Sequence, residues 1–242
     1  MNIGVIFAGG VGSRMHSKER PKQFLELYNK PIIVHTIEHF QKNNLINAVV
    51  VVCVEGWIEY FISLAYKYRL DKVKKVVPGG GTGQLSIYNG LIAAEEIANG
   101  EKCIVLIHDG VRPLINSDLL TQNIDCVKKY GSSITSGIVK ETIVEIFDGG
   151  GIKAVPDRAH SRVAKAPQCF WLDDILDAHK KALKSGKTDF IDSCSVMQYY
   201  GYRLQMTGRL YENIKITTPD DFYTMRAILQ LKKDAQIYGI GQ

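Results

Sequence analysis

Several features that would narrow the field quickly are scarce or missing in this chain of 242 residues. It has five cysteines (Cys53, Cys103, Cys126, Cys169 and Cys194), an odd number, widely separated and with no CxxC pair. A disulfide framework or structural zinc is therefore not expected, and a reducing compartment is. Nothing approaches the roughly 18 consecutive apolar residues of a membrane span, and residues 1–8 run into a short apolar segment with no basic leader or cleavage site. Membrane insertion and secretion are not expected, which favours the cytoplasm. Charge of one sign is not concentrated either: 30 Lys and Arg face 25 Asp and Glu for a net charge of +5, spread without a basic block. That balance suits a small anionic ligand better than nucleic acid. Internal repeats and low-complexity tracts are absent.

What the chain does have is 45% hydrophobic residues, enough to bury a full core as one domain spanning 1–242. Short apolar runs at 3–8, 48–54, 75–77, 103–108 and 133–139 alternate with helical patterns at 32–40, 58–68, 85–97 and 118–130. This rhythm predicts βαβ units and an α/β fold with a doubly wound, mainly parallel, Rossmann-like sheet. Pro31 and Ser117 read as helix-start signals. After residue 139 polar and apolar residues alternate over 141–147, the DGGG run at 148–151 can reverse the chain, and 152–155 can return. A β-hairpin arm inserted at about 139–165 is predicted. Beyond it come a strand at 165–170, helices at 172–183 and 190–200, strands near 202–207 and 214–216, and a closing helix capped by Thr218 with Pro219 behind it.

Four clusters carry chemistry. Ala8-Gly9-Gly10-Val11-Gly12-Ser13-Arg14 follows the first strand, and Lys22 stands in Pro21-Lys22-Gln23-Phe24. Glycines let backbone N–H groups approach phosphate oxygens, and Arg14 and Lys22 supply countercharge. The run is neither a Walker loop (GxxxxGK[ST]) nor GxGxxG, so the common NTPase and dinucleotide readings lose ground. His108-Asp109-Gly110-Val111-Arg112-Pro113 ends another apolar strand, where ligands of open α/β sheets sit. Asp109 can hold Mg²⁺ or a ribose hydroxyl, and Arg112 an acceptor phosphate; His108 is open between core and site. Gly79-Gly80-Gly81-Thr82-Gly83 opens a helix, with Gln84 or Ser86 able to meet a base edge. Lys215 sits just before the closing helix.

In this order, from AGGVGSRM and PKQF through SIYNGL, HDGVRP and APQCF to YENIKITTPDD, the chain resembles the polyol-phosphate cytidylyltransferases, the ribitol-5-phosphate and methylerythritol-phosphate group. The resemblance implies a nucleotidyltransferase that passes CMP from CTP to a polyol phosphate and releases pyrophosphate, with a divalent cation such as Mg²⁺. It implies catalytic roles for Arg14, Lys22 and Lys215, and nucleotide contacts from Ala8, Gly9, Gly10, Gly12, Ser13, Gly80, Gly81, Ser86 and Asp109. Acceptor contacts would come from Asp109, Arg112 and Arg158, and a metal contact from Asp109. It further implies a homodimer joined through the β-arm, with Arg158 reaching the partner's site. The stretch Val155-Pro156-Asp157-Arg158-Ala159-His160 looks more like the ribitol-phosphate branch, giving CDP-ribitol. The alternative is methylerythritol phosphate and isoprenoid synthesis, or another pentitol or sugar phosphate. Two positions depart from the group's pattern: Gly83, where arginine is usual, and Ala166, where threonine is usual.

Overall fold

The computed structural model describes residues 1–9, 20–208 and 212–238. In chain order the strands are β1 (Asn2–Ala8), β2 (Glu26–Leu27), β3 (Lys30–Pro31), β4 (Ala48–Cys53), β5 (Val73–Pro78), β6 (Ile104–Asp109), β7 (Ser132–Ile138), β8 (Glu145–Ile146), β9 (Ile152–Ala154), β10 (Arg162–Trp171) and β11 (Met206–Thr207). The α-helices are α1 (Ile32–Lys42), α2 (Ile58–Lys67), α3 (Gly83–Ala98), α4 (Ser117–Tyr130), α5 (Leu172–Lys184), α6 (Ser193–Tyr199) and α7 (Pro219–Tyr238).

Seven strands form one sheet in the order β11-β7-β10-β6-β1-β4-β5. The pairings β6-β1, β1-β4, β4-β5 and β7-β11 are parallel, and β10 runs antiparallel to both β6 and β7. The mainly parallel α/β expectation is met, with β10 as the reversed strand.

Side chains that alternate along β1 and β4 feed two cores. Ile6, Val49 and Val51 pack with residues of α1, α2 and α4, whereas Ile3, Val5, Val50 and Val52 pack with α3, α5 and α6. Because both faces are covered, β4 is apolar at every position, Ala48–Cys53, and wholly buried. Gly90 lets α3 lie close on the sheet, since a Cβ there would come within 2.7 Å of Val5 Cγ1 and Val52 Cγ2.

Local chemistry sets the element ends. Asn116, not Ser117, caps α4: its side chain accepts from the Leu119 N–H at 2.8 Å, and Gly131 closes the helix at φ 85°. Helix α7 opens with a reciprocal cap, in which Thr218 Oγ1 accepts from the Asp221 N–H and Asp221 Oδ2 accepts from the Thr218 N–H. The predicted helix at 190–200 begins at Ser193, because Asp192 takes the cap position and its Oδ1 accepts from the Ser195 N–H at 2.8 Å. The predicted strand at 214–216 forms no ladder; the Ile216 N–H donates to Val111 O instead. Between β7 and β10 the hairpin β8-β9 projects as a separate two-stranded sheet.

Two histidines are buried without charge. His179 of α5 stacks on Tyr88 of α3 with ring centroids 5.9 Å apart, and neither ring nitrogen has a partner among the described residues. Burial pushes its pKa down to about 4, and burial does the same to His108. A depressed histidine pKa leaves stability intact above the unfolded value near 6.5 and removes it as pH falls from there toward 4. By pH 5 the loss is about 2 kcal/mol per histidine. Urea unfolding at pH 7.5 and pH 5 should show a clear drop in midpoint; an unchanged midpoint would exclude neutral burial at both sites.

Candidate active site

The sheet reverses its winding between β1 and β6, and a crevice opens there beyond the strand ends. Phe7 and Asp109 are in register, and the Gly110 N–H donates to Phe7 O at 2.9 Å. On the other side the Gly79 N–H donates to Cys53 O, and a Cβ on Gly9 would stand 3.6 Å from Gly79 Cα. The glycine segments after β1 and β5 therefore touch.

A tight turn at Lys22–Phe24 docks on the end of β1. Gln23 Nε2 donates to Ala8 O at 2.7 Å while Phe24 stacks on Trp57 at 5.1 Å, which brings Lys22 to the start of the first glycine segment. Ala8 and Gly9 are in place at the crevice; Gly10, Gly12, Ser13 and Arg14 lie outside the described residues.

The second glycine segment is braced from within. Ser86 Oγ accepts from the Gly80 N–H at 2.9 Å and donates to Thr82 O at 2.9 Å, so its hydroxyl shapes the loop. Gly80 must lack a side chain, because a Cβ would meet Leu85 Cβ at 2.6 Å; Gly81 has open space. Gln84 spends both ends of its amide, donating to Lys187 O and accepting from the Phe190 N–H, each at 3.0 Å. It ties the loop to segment 187–190 rather than presenting an open edge to a base.

Beneath the loops lies a cavity of about 250 Å³ whose lining includes Asp109, Arg112, Lys165 and Lys215. Asp109 is its hub. Its Oδ2 accepts from Arg112 Nε at 2.7 Å and its Oδ1 pairs with Lys215 Nζ at 2.6 Å. Burial alone would raise the Asp109 pKa, but the Arg112 and Lys215 charges and their hydrogen bonds overcome it and hold the carboxyl well below the usual range. Arg112 is further fixed by Nη1 donating to Asn213 O at 3.1 Å. One carboxylate thus holds two cations from distant parts of the chain, each with N–H donors left for an anion. His108, at the same wall, is neutral and braces the turn through Nε2 and Arg112 O, 3.2 Å apart.

A further part of the lining escaped the sequence reading. Lys165, Gln168, Asp192 and Ser193 all line the cavity. Gln168 Nε2 donates to Asp192 Oδ2 at 2.8 Å, and Gln168 Oε1 accepts from the Cys194 N–H at 2.8 Å, clamping β10 to the start of α6. An Asp-x-x-Ser cap signature was present at 192–195; nothing local marked Lys165 or Ser193.

Arg158 is not brought to this cavity within the chain. It lies at the base of the arm, where Nη1 donates to Lys140 O at 3.2 Å, and it lines a separate space with Asp157 and Arg162. Among the described residues no three acidic, histidine or cysteine groups cluster as a metal cage. The cavity's carboxylates are Asp109, whose two oxygens pair with Arg112 and Lys215, and Asp192, and Mg²⁺ is commonly held by one or two carboxylates when substrate phosphates supply the other ligands. No helix among the described residues is long and apolar enough to cross a membrane.

The model of the 2-C-methyl-D-erythritol 4-phosphate cytidylyltransferase (IspD) family matches residues 3–231. The chain belongs to this family. It is a nucleotidyltransferase that moves a cytidylyl group from CTP to a polyol phosphate. Within the wider group it is 54% identical over 240 residues to a ribitol-5-phosphate cytidylyltransferase of Streptococcus agalactiae serotype V, covering 99% of this chain and 100% of that one. It is 38% identical over 232 residues to a 2-C-methyl-D-erythritol 4-phosphate cytidylyltransferase of Clostridium acetobutylicum, covering 95% and 98%. The 4-diphosphocytidyl-2C-methyl-D-erythritol synthase structure from Anaerococcus prevotii superposes with a TM-score of 0.78 at 24% identity, over 95% of this chain and 98% of that one, which supports the fold.

Proposed function

We propose that the acceptor is D-ribitol 5-phosphate and that the product is CDP-ribitol. The observation that carries this reading is the step in identity, 54% to the ribitol-phosphate enzyme against 38% to the methylerythritol-phosphate enzyme, both over nearly the whole chain. An acceptor phosphate oxygen attacks the α-phosphorus of CTP in line. One P–O bond forms as the bond to the β-phosphate breaks, and pyrophosphate departs with the electron pair. The nucleophile is already an anion, so the protein's work is positioning and charge stabilisation. Lys22 and Arg14 would meet the triphosphate at the first glycine segment, the Gly80-Gly81 backbone the nucleoside side, and Arg112 and Lys215 the two phosphates that approach each other over Asp109. Mg²⁺ carried by the triphosphate, with Asp109 beside it, would offset charge on the leaving oxygens.

The arm supports a homodimer. Ile146, Phe147, Ile152 and Val155 are each more than half exposed on a two-stranded hairpin, a unit that is marginal by itself and gains stability when a second chain covers it. Arg158 at its base would then serve the neighbouring site. This assignment suits a protein working in the cytoplasm, where CTP is made.

Pyrophosphate release with CTP and Mg²⁺ tests the acceptor. Release should be at least about 100-fold more efficient with D-ribitol 5-phosphate than with 2-C-methyl-D-erythritol 4-phosphate, the scale of discrimination that placed polar contacts can give. The reverse preference would move the protein to the other branch, and full activity from a species sedimenting as one chain would remove the dimer.

A further inference from the structure

We infer that Asn213 is a positioning residue for the reaction: it fixes Arg112 and Lys215 about Asp109 by tying the segment that carries the lysine to β10. The inference rests on the proposed role of Lys215 at the reacting phosphates. Residues 212–216 form no strand, so this segment is held by single contacts. Three of them reach the turn at 109–112: Lys215 Nζ pairs with Asp109 Oδ1, Arg112 Nη1 donates to Asn213 O, and the Ile216 N–H donates to Val111 O. Contacts to one turn fix the distance to that turn and leave the rest of the segment's placement to whatever holds its other side.

The other side is held by the Asn213 side chain. Its Nδ2 donates to Ala166 O at 2.5 Å, and both residues are buried, Asn213 completely. Ala166 lies where β10 leaves its partners. The pairing with β7 stops at Ala164↔Ser136 and resumes at Gln168↔Ile134, and the pairing with β6 begins at Gln168↔Ile107. Residues 165–167 stand in neither ladder, and a buried main-chain carbonyl outside a ladder needs a donor from elsewhere. Asn213 supplies it. The same residue presents its own main-chain oxygen to the Arg112 guanidinium at 3.1 Å, so one residue joins β10 to Arg112 and, two positions on, to Lys215.

Packing alone does not account for an amide at this place. Asn213 Oδ1 is buried with no hydrogen-bond partner among the described residues, a loss of stability that an apolar side chain would not suffer. The donor end is what the position uses. Ala166, Arg112 and Lys215 line the cavity and Asn213 does not, so it acts on the reaction through them.

The test is a double-mutant cycle between Asn213→Ala and Lys215→Ala, run as pyrophosphate release at saturating CTP and Mg²⁺ with whichever polyol phosphate the wild-type enzyme turns over fastest. Asn213→Ala should lower turnover by about tenfold, less than the roughly 100-fold that a misplacement of about 1 Å costs. CTP affinity, read by calorimetry, should stay within about threefold. In the Lys215→Ala background the same substitution should cost no more than about threefold, because the group it positions is gone. A residue that only supported the fold would lower turnover by the same factor in both backgrounds; that result, or unchanged turnover in Asn213→Ala, would overturn the inference. Should Asn213→Ala not fold, Asn213→Ser, which keeps a hydroxyl donor on a shorter arm, takes its place in the cycle with the same deciding outcomes. If Lys215→Ala alone keeps wild-type turnover, the role proposed for Lys215 fails separately, and the same cycle against Arg112→Ala decides whether Asn213 positions the remaining cation.

Discussion

Lys215→Ala should lower the turnover number by about 100-fold or more while leaving CTP binding largely in place. The lysine lines the cavity and is held by Asp109 Oδ1 at 2.6 Å, so its charge is fixed before substrate arrives. Removing one preorganised group that stabilises developing charge typically costs two to three orders of magnitude in rate. Lys22→Ala should behave alike, since its turn is locked to the end of β1 through Gln23 and Ala8. Quenched-flow pyrophosphate release measures the rate and calorimetry the CTP affinity. Turnover within threefold of wild type in Lys215→Ala would remove the residue from the chemistry.

Asp109→Asn should be as damaging for a different reason. The amide keeps the shape but not the charge, leaving Arg112 and Lys215 side by side without their shared anion. Stability should fall by about 3 kcal/mol, as when one partner of a largely buried ion pair is deleted. Turnover should fall by about 100-fold, whereas CTP measured without Mg²⁺, meeting a more positive site, should bind at least as tightly. Weaker CTP binding in proportion to the lost turnover would show that Asp109 contacts the nucleotide instead of organising the two cations. Because the cations hold the Asp109 carboxyl well below its usual range, its contribution to stability is present above the unfolded carboxylate pKa near 3.9 and is lost only as pH falls below that. Asp109 therefore stays ionised from pH 5 to 9. A change of rate near pH 6 would belong to the acceptor phosphate, whose second ionisation lies there.

On the proposed function, the arrangement would let a cavity carrying two carboxylates receive polyanions. Asp192 is spent on the α6 cap and on Gln168, and Asp109 on two cations, so Arg112 and Lys215 would dominate the field that a phosphate meets there. The carboxylate at the centre costs some attraction for anions and in return fixes the geometry in which they are held.

Much of this could be read from the order of residues alone. Apolar runs at strand length alternating with amphipathic helices specify a parallel sheet because each strand must be covered on both faces, and β4 is buried at every position. Glycine segments after the first and third of the main strands, and Asp109 and Arg112 at the end of β6, followed from the rule that ligands gather beyond the carboxyl ends of such strands. These signals are local, a few adjacent residues tied to one turn. The tertiary structure alone decided which distant groups meet. Lys215, Arg112 and Asp109 converge because the Ile216 N–H docks on Val111 O without forming a strand. Lys165 and Ser193 join the lining of the same cavity from β10, where its register against β7 slips past Thr135, and from α6, which Asp192 starts three residues later than periodicity suggests. Ser86 and Gln84, read as groups for a base, were drawn into bracing the loop. Strand register, bulges and the satisfaction of buried hydrogen bonds depend on partners far away in sequence, and no window along the chain contains them.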